Sequence, residues 1–134
     1  MKHLNQFITE YIVKKKLDKP IDSEDHYTYF PKTKNDLKKN INECIKNKNY
    51  DLNCIDTSAI TDMSKLFYDS KFKDINIDVS EWDVSNVKNM SYMFYDCMKF
   101  DCDLSNWDVS KAQNISSVFD SCTALKNKPS WYKE

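Results

Sequence analysis

A segment of 22 residues recurs along this chain, and it constrains the fold more than any other feature. Residues 79–100 and 104–125 carry apolar side chains at equivalent positions, 25 residues apart. A more divergent copy covers 52–72, and Trp131 stands where a fourth copy would begin. Repeats of this length bury their apolar faces by stacking on one another. The chain is therefore expected to form a stack of three repeats, here called repeats 1, 2 and 3.

The spacing of apolar residues predicts the secondary structure of each repeat. Leu104-x-x-Trp107-x-Val109 fits a short strand whose alternate residues point inward. A helix of about two turns is predicted over 89–96 from the i, i+3, i+4, i+7 pattern. That pattern is formed by Met90, Met93, Phe94 and Cys97. The predicted fold class is an α/β solenoid, with a parallel strand and a short helix in each coil.

The same alignment predicts the core and the turns. Side chains that recur at one repeat position are expected to be buried, and they include Trp82, Trp107, Met90, Phe94 and Phe119. The recurring Asp-x-Ser pairs are expected to form turns in which the carboxylate accepts main-chain N–H groups. Because the chain contains no glycine, Asn and Asp are expected to supply any left-handed turn positions.

Residues 1–50 are predicted to be an N-terminal helical cap on residues 51–134, which hold about three repeats and a partial C-terminal coil. An apolar stripe over 3–17 predicts one amphipathic helix. A second helix is predicted over 34–47, with Thr33 as its N-cap and with Leu37, Ile41 and Ile45 on one face. A cap is expected because an open end of a repeat stack exposes apolar surface.

Asp-Leu-Ser-Asn-Trp-Asp-Val-Ser at 103–110 and Asn-Met-Ser-Tyr-Met-Phe-Tyr-Asp-Cys at 89–97 carry a family resemblance. The chain resembles the BspA-like repeat family over about 51–134. That family occurs in mycoplasma lipoproteins, bacterial surface proteins and gut bacteriophages. The resemblance implies a leucine-rich-repeat-like fold and a binding or surface role, with no catalytic residues to carry over.

Charge and hydropathy limit the classes of partner. Residues 1–50 hold 11 lysines against 7 acidic residues, and residues 51–134 hold 9 against 14. The chain has no arginine and its repeats are acidic, so nucleic acid is not the expected partner. No apolar run approaches the ~20 residues of a membrane span, and the N-terminus lacks the apolar core of a signal peptide. We expect a cytoplasmic protein of a bacterium or of a phage-infected cell.

The five cysteines fall at or beside core positions, which favours buried thiols in a reducing compartment. No Cys-x-x-Cys pair is present and only two histidines occur, so neither a metal nor another cofactor is predicted. The lack of glycine excludes the usual phosphate-binding loops. Asp83 and Asp108 could form a carboxylate pair on neighbouring repeats, but turn formation explains both better. We expect the protein not to be an enzyme.

Exposed positions that differ between repeats are the best candidates for recognising a partner. The candidate partner-binding residues are Lys65, Tyr68, Tyr92, Tyr95, Glu81 and Asn106. Tyrosine offers a large, rigid contact and a hydroxyl group, although a row of tyrosines can also simply cover the repeats. The expected function is a protein–protein interaction module, such as a host-directed inhibitor or adaptor. The alternative is a structural protein of a virion or cell surface; the partner and the oligomeric state remain open.

Overall fold

The computed structural model describes residues 26–133. Within this range it contains one α-helix, α1 (Lys34–Lys46), and one short 3₁₀ helix (Ser70–Phe72). The remainder consists of turns joined by isolated parallel bridges. No helix in the described part of the chain is long and apolar enough to cross a membrane.

Helix α1 confirms the helix predicted before the first repeat. Thr33 caps it, since its hydroxyl accepts a hydrogen bond from the Asp36 N–H at 3.1 Å. Leu37, Ile41 and Cys44 are buried in the same apolar core as the repeats. The amphipathic helix predicted over 3–17 lies outside the described residues.

The predicted α/β solenoid, with its leucine-rich-repeat-like coils, is wrong. The only α-helix in the described range precedes the repeats, and no coil contains a strand followed by a helix. The segment 89–96 forms successive turns, whereas 104–109 contains a single turn, closed by the Trp107 N–H and the Leu104 carbonyl, followed by residues without regular secondary structure. Positive φ angles at Tyr92 and Asp96 interrupt the predicted helix. The N–H groups of Met93 and Tyr95 bond to carbonyls three residues back, and alternate N–H groups from Met90 to Asp96 bond to the next repeat, so the bonds to carbonyls four residues back that define an α-helix are replaced.

The apolar spacing of three residues marks turns instead of a helix face. In repeat 2, the N–H of Trp82 donates to the Val79 carbonyl, and the N–H of Val87 donates to that of Val84. Equivalent i to i+3 bonds close Met90–Met93, Phe94–Cys97 and Cys97–Phe100, and the same series recurs in repeat 3. Each repeat is thus a chain of tight turns, and the turns named above place apolar residues in the core or against it. The turn Tyr92–Tyr95 is closed in the same way but has its ends at the surface.

Hydrogen bonds from one repeat to the next hold the stack in register. The N–H groups of Met63, Lys65 and Phe67 donate at 2.9 Å to the carbonyls of Asn89, Ser91 and Met93. The N–H groups of Met90, Tyr92, Phe94 and Asp96 donate at 2.8 to 3.0 Å to the carbonyls of Asn114, Ser116, Val118 and Asp120. Within residues 26–133 the repeats therefore pair main-chain groups across the stack through isolated bridges and not through strands.

Aromatic columns run through the core, which confirms the predicted core residues. The rings of Phe67, Phe94 and Phe119 stack with centroids 5.4 and 5.8 Å apart and planes within 7°. In a second column, each tryptophan Nε1 donates to a carbonyl of the preceding repeat. These bonds join Trp82 to Leu52, Trp107 to Val79 and Trp131 to Leu104, at 2.8 to 3.0 Å. The predicted core residues, Trp82, Trp107, Met90, Phe94 and Phe119, are at most 5% exposed.

Candidate functional site

Four of the six candidate partner-binding residues form one surface group, here called the tyrosine cluster: Lys65, Tyr68, Tyr92 and Tyr95. Tyr68 stacks on Tyr95 with ring centroids 5.2 Å apart and planes 19° apart. Tyr92 meets Tyr68 edge-on at 6.4 Å and lies 5.6 Å from Tyr95. Side chains from two repeats therefore support one another in a continuous aromatic surface.

A positive charge lies over this aromatic surface. The Lys65 Nζ is 5.7 Å from the Tyr68 ring centroid and 6.0 Å from that of Tyr92. Both distances fit a cation–π interaction, which contributes about 0.5–1 kcal/mol at exposed sites. Lys65 itself remains exposed. The cluster thus combines apolar contact area with hydroxyl groups and an ammonium group.

The main chain gives the cluster its geometry. Lys65 and Tyr92 have φ angles of 57° and 56°, and the equivalent Ser117 has a φ of 55°. In this left-handed conformation the Lys65 and Tyr92 N–H groups reach the next repeat. The expectation that Asn and Asp would supply such positions is wrong: Asp96 alone among the left-handed residues is of that type. Position in the stack, and not side-chain type, selects the conformation.

The tyrosine cluster is confined to repeats 1 and 2, where its side chains are exposed or partly exposed. Tyr68 is 45% exposed and Tyr92 is 37% exposed, whereas Tyr95 is partly buried by its neighbours. In repeat 3 the equivalent positions hold Ser117 and Asp120. The aromatic surface therefore ends at the boundary with repeat 3.

Glu81 and Asn106 lie apart from the tyrosine cluster. No ring contact or hydrogen bond between described residues joins either of them to it. Glu81 lines an open groove of about 460 Å³, together with His26, Asn49, Asp51, Asn53 and Cys54. Asn106 is exposed on the following repeat. The six candidates thus do not form a single site.

Asn53 organises this groove, and the sequence prediction missed it. Its side-chain amide donates to the Asp51 carboxylate at 2.9 Å, and its Oδ1 accepts the Glu81 N–H at 2.9 Å. The signal was available in the alignment, because Asn53 stands where repeats 2 and 3 carry Ser80 and Ser105. The Asn53 side chain is longer than that of serine and links Asp51 to Glu81 in the next repeat. Its amide nitrogen and oxygen both bond within the protein.

The repeated aspartates form turns, as predicted. Asp56, Asp83 and Asp108 each accept the N–H of the serine two residues later at 3.0 Å. The hydrogen bonds from the Ser110 hydroxyl and N–H hold the pKa of Asp108 below its usual range. Asp83 likewise accepts the Ser85 hydroxyl. These carboxylates stabilise their own turns, which argues against a catalytic pair.

The buried cysteines also have a structural role. The Cys97 and Cys122 thiols donate to the Phe67 and Phe94 carbonyls, at 3.3 and 2.9 Å. Burial raises the pKa of Cys97 to about 12 and that of Cys122 to about 11. Such thiols are poor nucleophiles near neutral pH. Among residues 26–133 no group of three or more His, Cys, Asp or Glu side chains could hold a metal ion.

Comparison with known proteins assigns the chain to a family. Comparison with curated proteins and with solved structures found no match. One family profile matches residues 35–133, which include part of α1 and all three repeats. The match supports the mycoplasma-type repeat suggested by the sequence, although not its narrower assignment to BspA-like repeats. The chain therefore belongs to the family described as "Mycoplasma protein of unknown function, DUF285".

Proposed function

We propose that this protein is a non-enzymatic protein-binding module of a bacterium or bacteriophage, and that the tyrosine cluster contacts its partner. One observation carries the proposal: three tyrosines and a lysine from two repeats form a packed but exposed surface. Tyrosines often dominate binding energy at protein interfaces. A host-directed inhibitor or adaptor would use such a surface.

The rigidity of the cluster supports this role. Binding is weakened by the entropy lost when side chains become ordered, about 0.5–1.5 kcal/mol for each flexible side chain. Tyr68, Tyr92 and Tyr95 already restrict one another through ring contacts. Hydrogen bonds to the next repeat fix the main chain at Lys65 and Tyr92. The cluster can therefore meet a partner with little further loss of entropy.

The thiols and the repeat pattern support two narrower proposals. A reducing compartment such as the bacterial cytoplasm suits Cys97 and Cys122, because their thiol protons bond to carbonyls inside the stack. The repeat pattern of 79–100 and 104–125 is of the BspA-like type, a proposal supported by the matching turn-forming residues of these two segments.

The binding proposal is tested by comparing partners captured from the native host by the natural chain and by a Tyr68→Ala, Tyr95→Ala double variant. Tyr50→Ala is a matched control, because Tyr50 is 38% exposed and lies outside the cluster. We expect the double variant alone to lose a partner that the natural chain and the control retain. Titration with that partner should show a loss of affinity of at least about fivefold, or about 1 kcal/mol.

A second control separates the tyrosine cluster from the repeated aspartates. Asp83→Asn keeps a side-chain oxygen that can accept the Ser85 N–H, as Asn89 does for Ser91. This variant should therefore bind the partner as well as the natural chain does. If Asp83→Asn abolishes binding while the tyrosine variant binds normally, the cluster is not the site.

A further inference from the structure

Along Met63–Phe67 and Met90–Asp96, the main-chain N–H groups that bond to another repeat all donate to the following repeat, so the two ends of the stack differ there. Just before these segments the direction is reversed, because the Lys88 N–H donates to the Thr61 carbonyl and the Gln113 and Asn114 N–H groups donate to that of Lys88. N–H groups of repeat 1 donate to carbonyls of repeat 2, and N–H groups of repeat 2 donate to carbonyls of repeat 3. The isolated bridges between Asp62, Asn89 and Asn114 show that this pairing is parallel. Repeat 3 is therefore left with the donors that a following repeat would use.

We call these donors the N–H edge: the main-chain N–H groups of Ile115, Ser117, Phe119 and Ser121. They correspond to the N–H groups of Met90, Tyr92, Phe94 and Asp96, which are all bonded to repeat 3. No described residue accepts a hydrogen bond from the four edge groups. An unpaired row of this kind is a template for another chain.

The aromatic core beside the N–H edge is already covered. The Phe119 ring packs against Trp131 at 5.7 Å and against Tyr132 at 5.1 Å. Phe119 is only 2% exposed, whereas Ser121 is exposed. A partner would therefore gain mainly main-chain hydrogen bonds here, and it does not need to supply a large apolar surface.

The opposite end of the stack is covered by α1. Lys34 Nζ lies 3.0 Å from the Ser64 hydroxyl and 3.8 Å from the Asp62 carboxylate. Further along α1, Ile41 lines a small cavity together with Leu66. The helix thus runs along Asp62, Ser64 and Leu66, whose carbonyls are equivalent to those that accept bonds in repeats 2 and 3. A second copy of this chain cannot offer this edge while α1 occupies it.

We propose that the N–H edge is a docking site for a different polypeptide that carries the same repeat pattern. The segment that fits is Asn-x-Ser-x-apolar, which occurs here at Asn89–Met93 and Asn114–Val118. In both copies the serine N–H bonds to the asparagine Oδ1 at 3.0 Å. This turn holds the alternate carbonyls in place before pairing, which reduces the entropy lost on binding. The partner would add to the stack in parallel through its main chain.

The test uses the full chain and hydrogen exchange of its amides, followed by NMR. The probe is a synthetic peptide with the sequence of residues 111–121, and the control peptide has the same composition in scrambled order. In the chain alone, the amides of Tyr92 and Phe94 should be protected, while those of Ser117 and Ser121 exchange rapidly. The probe should slow exchange at Ser117 and Ser121 at least ~tenfold, and the scrambled peptide should not.

Two variants make the result specific. A peptide carrying Asn114→Ala and Ser116→Ala loses the turn that positions its carbonyls, so it should protect the edge at least ~fivefold less. The full-chain Tyr92→Ala variant should bind the probe as the natural chain does. The edge proposal can thus fail or succeed independently of the tyrosine cluster.

Four results would overturn the proposal. The first is unchanged exchange at the N–H edge with ~1 mM probe, and the second is edge amides that are already protected in the chain alone. The third is a response to the probe confined to the tyrosine cluster. The fourth is protection that grows with protein concentration without probe, which would make a second copy of the chain the occupant.

Discussion

At the scale of single residues, the left-handed positions reveal how this chain folds without glycine. A left-handed conformation costs a residue with a Cβ roughly 1–2 kcal/mol. Lys65, Tyr92 and Asp96 nevertheless adopt it, and the N–H of Lys65, Tyr92 and Asp96 each bonds to the next repeat. These bonds, together with the packing of the neighbouring core residues, offset the conformational cost.

Replacing Ser121 by glycine should stabilise the protein. Ser121 has a φ of 64°, is exposed and makes no side-chain hydrogen bond within residues 26–133. Glycine removes the steric cost but adds about 0.5–1 kcal/mol of entropy cost. We therefore expect a net gain of up to about 1 kcal/mol, measured by urea unfolding. Ser121→Ala, which keeps a Cβ, should bring no gain; equal stabilisation by alanine would contradict this explanation.

Asp78 should contribute to a loss of stability in acid. Partial burial raises its pKa, but hydrogen bonds from Ser80, Asn53 and Cys102 outweigh burial and leave the pKa below its ordinary value. Because the folded pKa is lowered, the stabilisation is present above the unfolded pKa of ~3.9 and is lost as the pH falls through the folded value.

The measurement compares Asp78→Asn with the natural chain in urea between pH 7 and pH 2. Asparagine can still accept the Ser80 N–H, as Asn89 does for Ser91. The variant should be less stable at pH 7 by about 1 kcal/mol or less, and the difference should shrink below about pH 4. Asp74→Asn is an exposed control. A difference that stays constant down to pH 2 would contradict the role of the Asp78 charge.

At the scale of elements, the sequence predicted α1 but misjudged the repeats, for a physical reason. In α1 the cap at Thr33 and the apolar spacing indicate the same structure. In 89–96 the apolar spacing favours a helix, but Asn89 bonds to the Ser91 N–H and favours a turn. Hydrogen bonds to the next repeat favour the turns over the helix. These bonds join residues about 25 positions apart, so the sequence of 89–96 alone does not predict them.

The candidate site was predictable to a similar extent. Comparing repeats identified exposed tyrosines, and the structure brings Tyr68, Tyr92 and Tyr95 together. The alignment could not separate Glu81 from them, because the repeat pattern gives positions within a coil but not which positions lie near one another. It also missed the N–H edge, since an unpaired main-chain group leaves no mark on side-chain types.

Phe94 is expected to be the most sensitive core position of the repeats. Its ring stacks on Phe67, Phe100 and Phe119, with centroids 4.2 to 5.8 Å apart, and it is fully buried. Phe94→Ala should destabilise the protein by about 3–5 kcal/mol, because it leaves a cavity that joins three repeats. This is a large share of the ~5–15 kcal/mol of a typical domain.

Unfolding in urea provides the measurement for Phe94→Ala. The control is Phe30→Ala, since Phe30 is 55% exposed and should change stability by less than about 0.5 kcal/mol. Similar losses for both variants would show that the stacked phenylalanines do not form the main core.

At the scale of the whole molecule, the two ends of the stack are finished differently. Helix α1 covers repeat 1 with buried Leu37 and Ile41, whereas Trp131 and Tyr132 cover the aromatic core of repeat 3. The first cover lies along the carbonyl edge; the second leaves the N–H edge unpaired within residues 26–133. We infer that α1 acts as a cap that closes one end of the stack, so that growth by pairing is possible only at the other; the role predicted for the remainder of residues 1–50 stays a prediction.

Removing residues 1–49 tests this cap. The truncated chain should expose the core of repeat 1 and the carbonyls of Asp62, Ser64 and Leu66, and it should aggregate or melt at a much lower temperature. Light scattering and thermal unfolding measure the two outcomes.

A double variant of the full chain, Leu37→Ala with Ile41→Ala, tests the packing of α1 on repeat 1. Its free energy of unfolding should fall by about 4–10 kcal/mol if the two losses add. The matched exposed pair, Lys38→Ala with Lys39→Ala, should leave stability nearly unchanged. If the truncated chain is monomeric and as stable as the full chain, α1 is not a cap, and the carbonyl edge tolerates water without a cover.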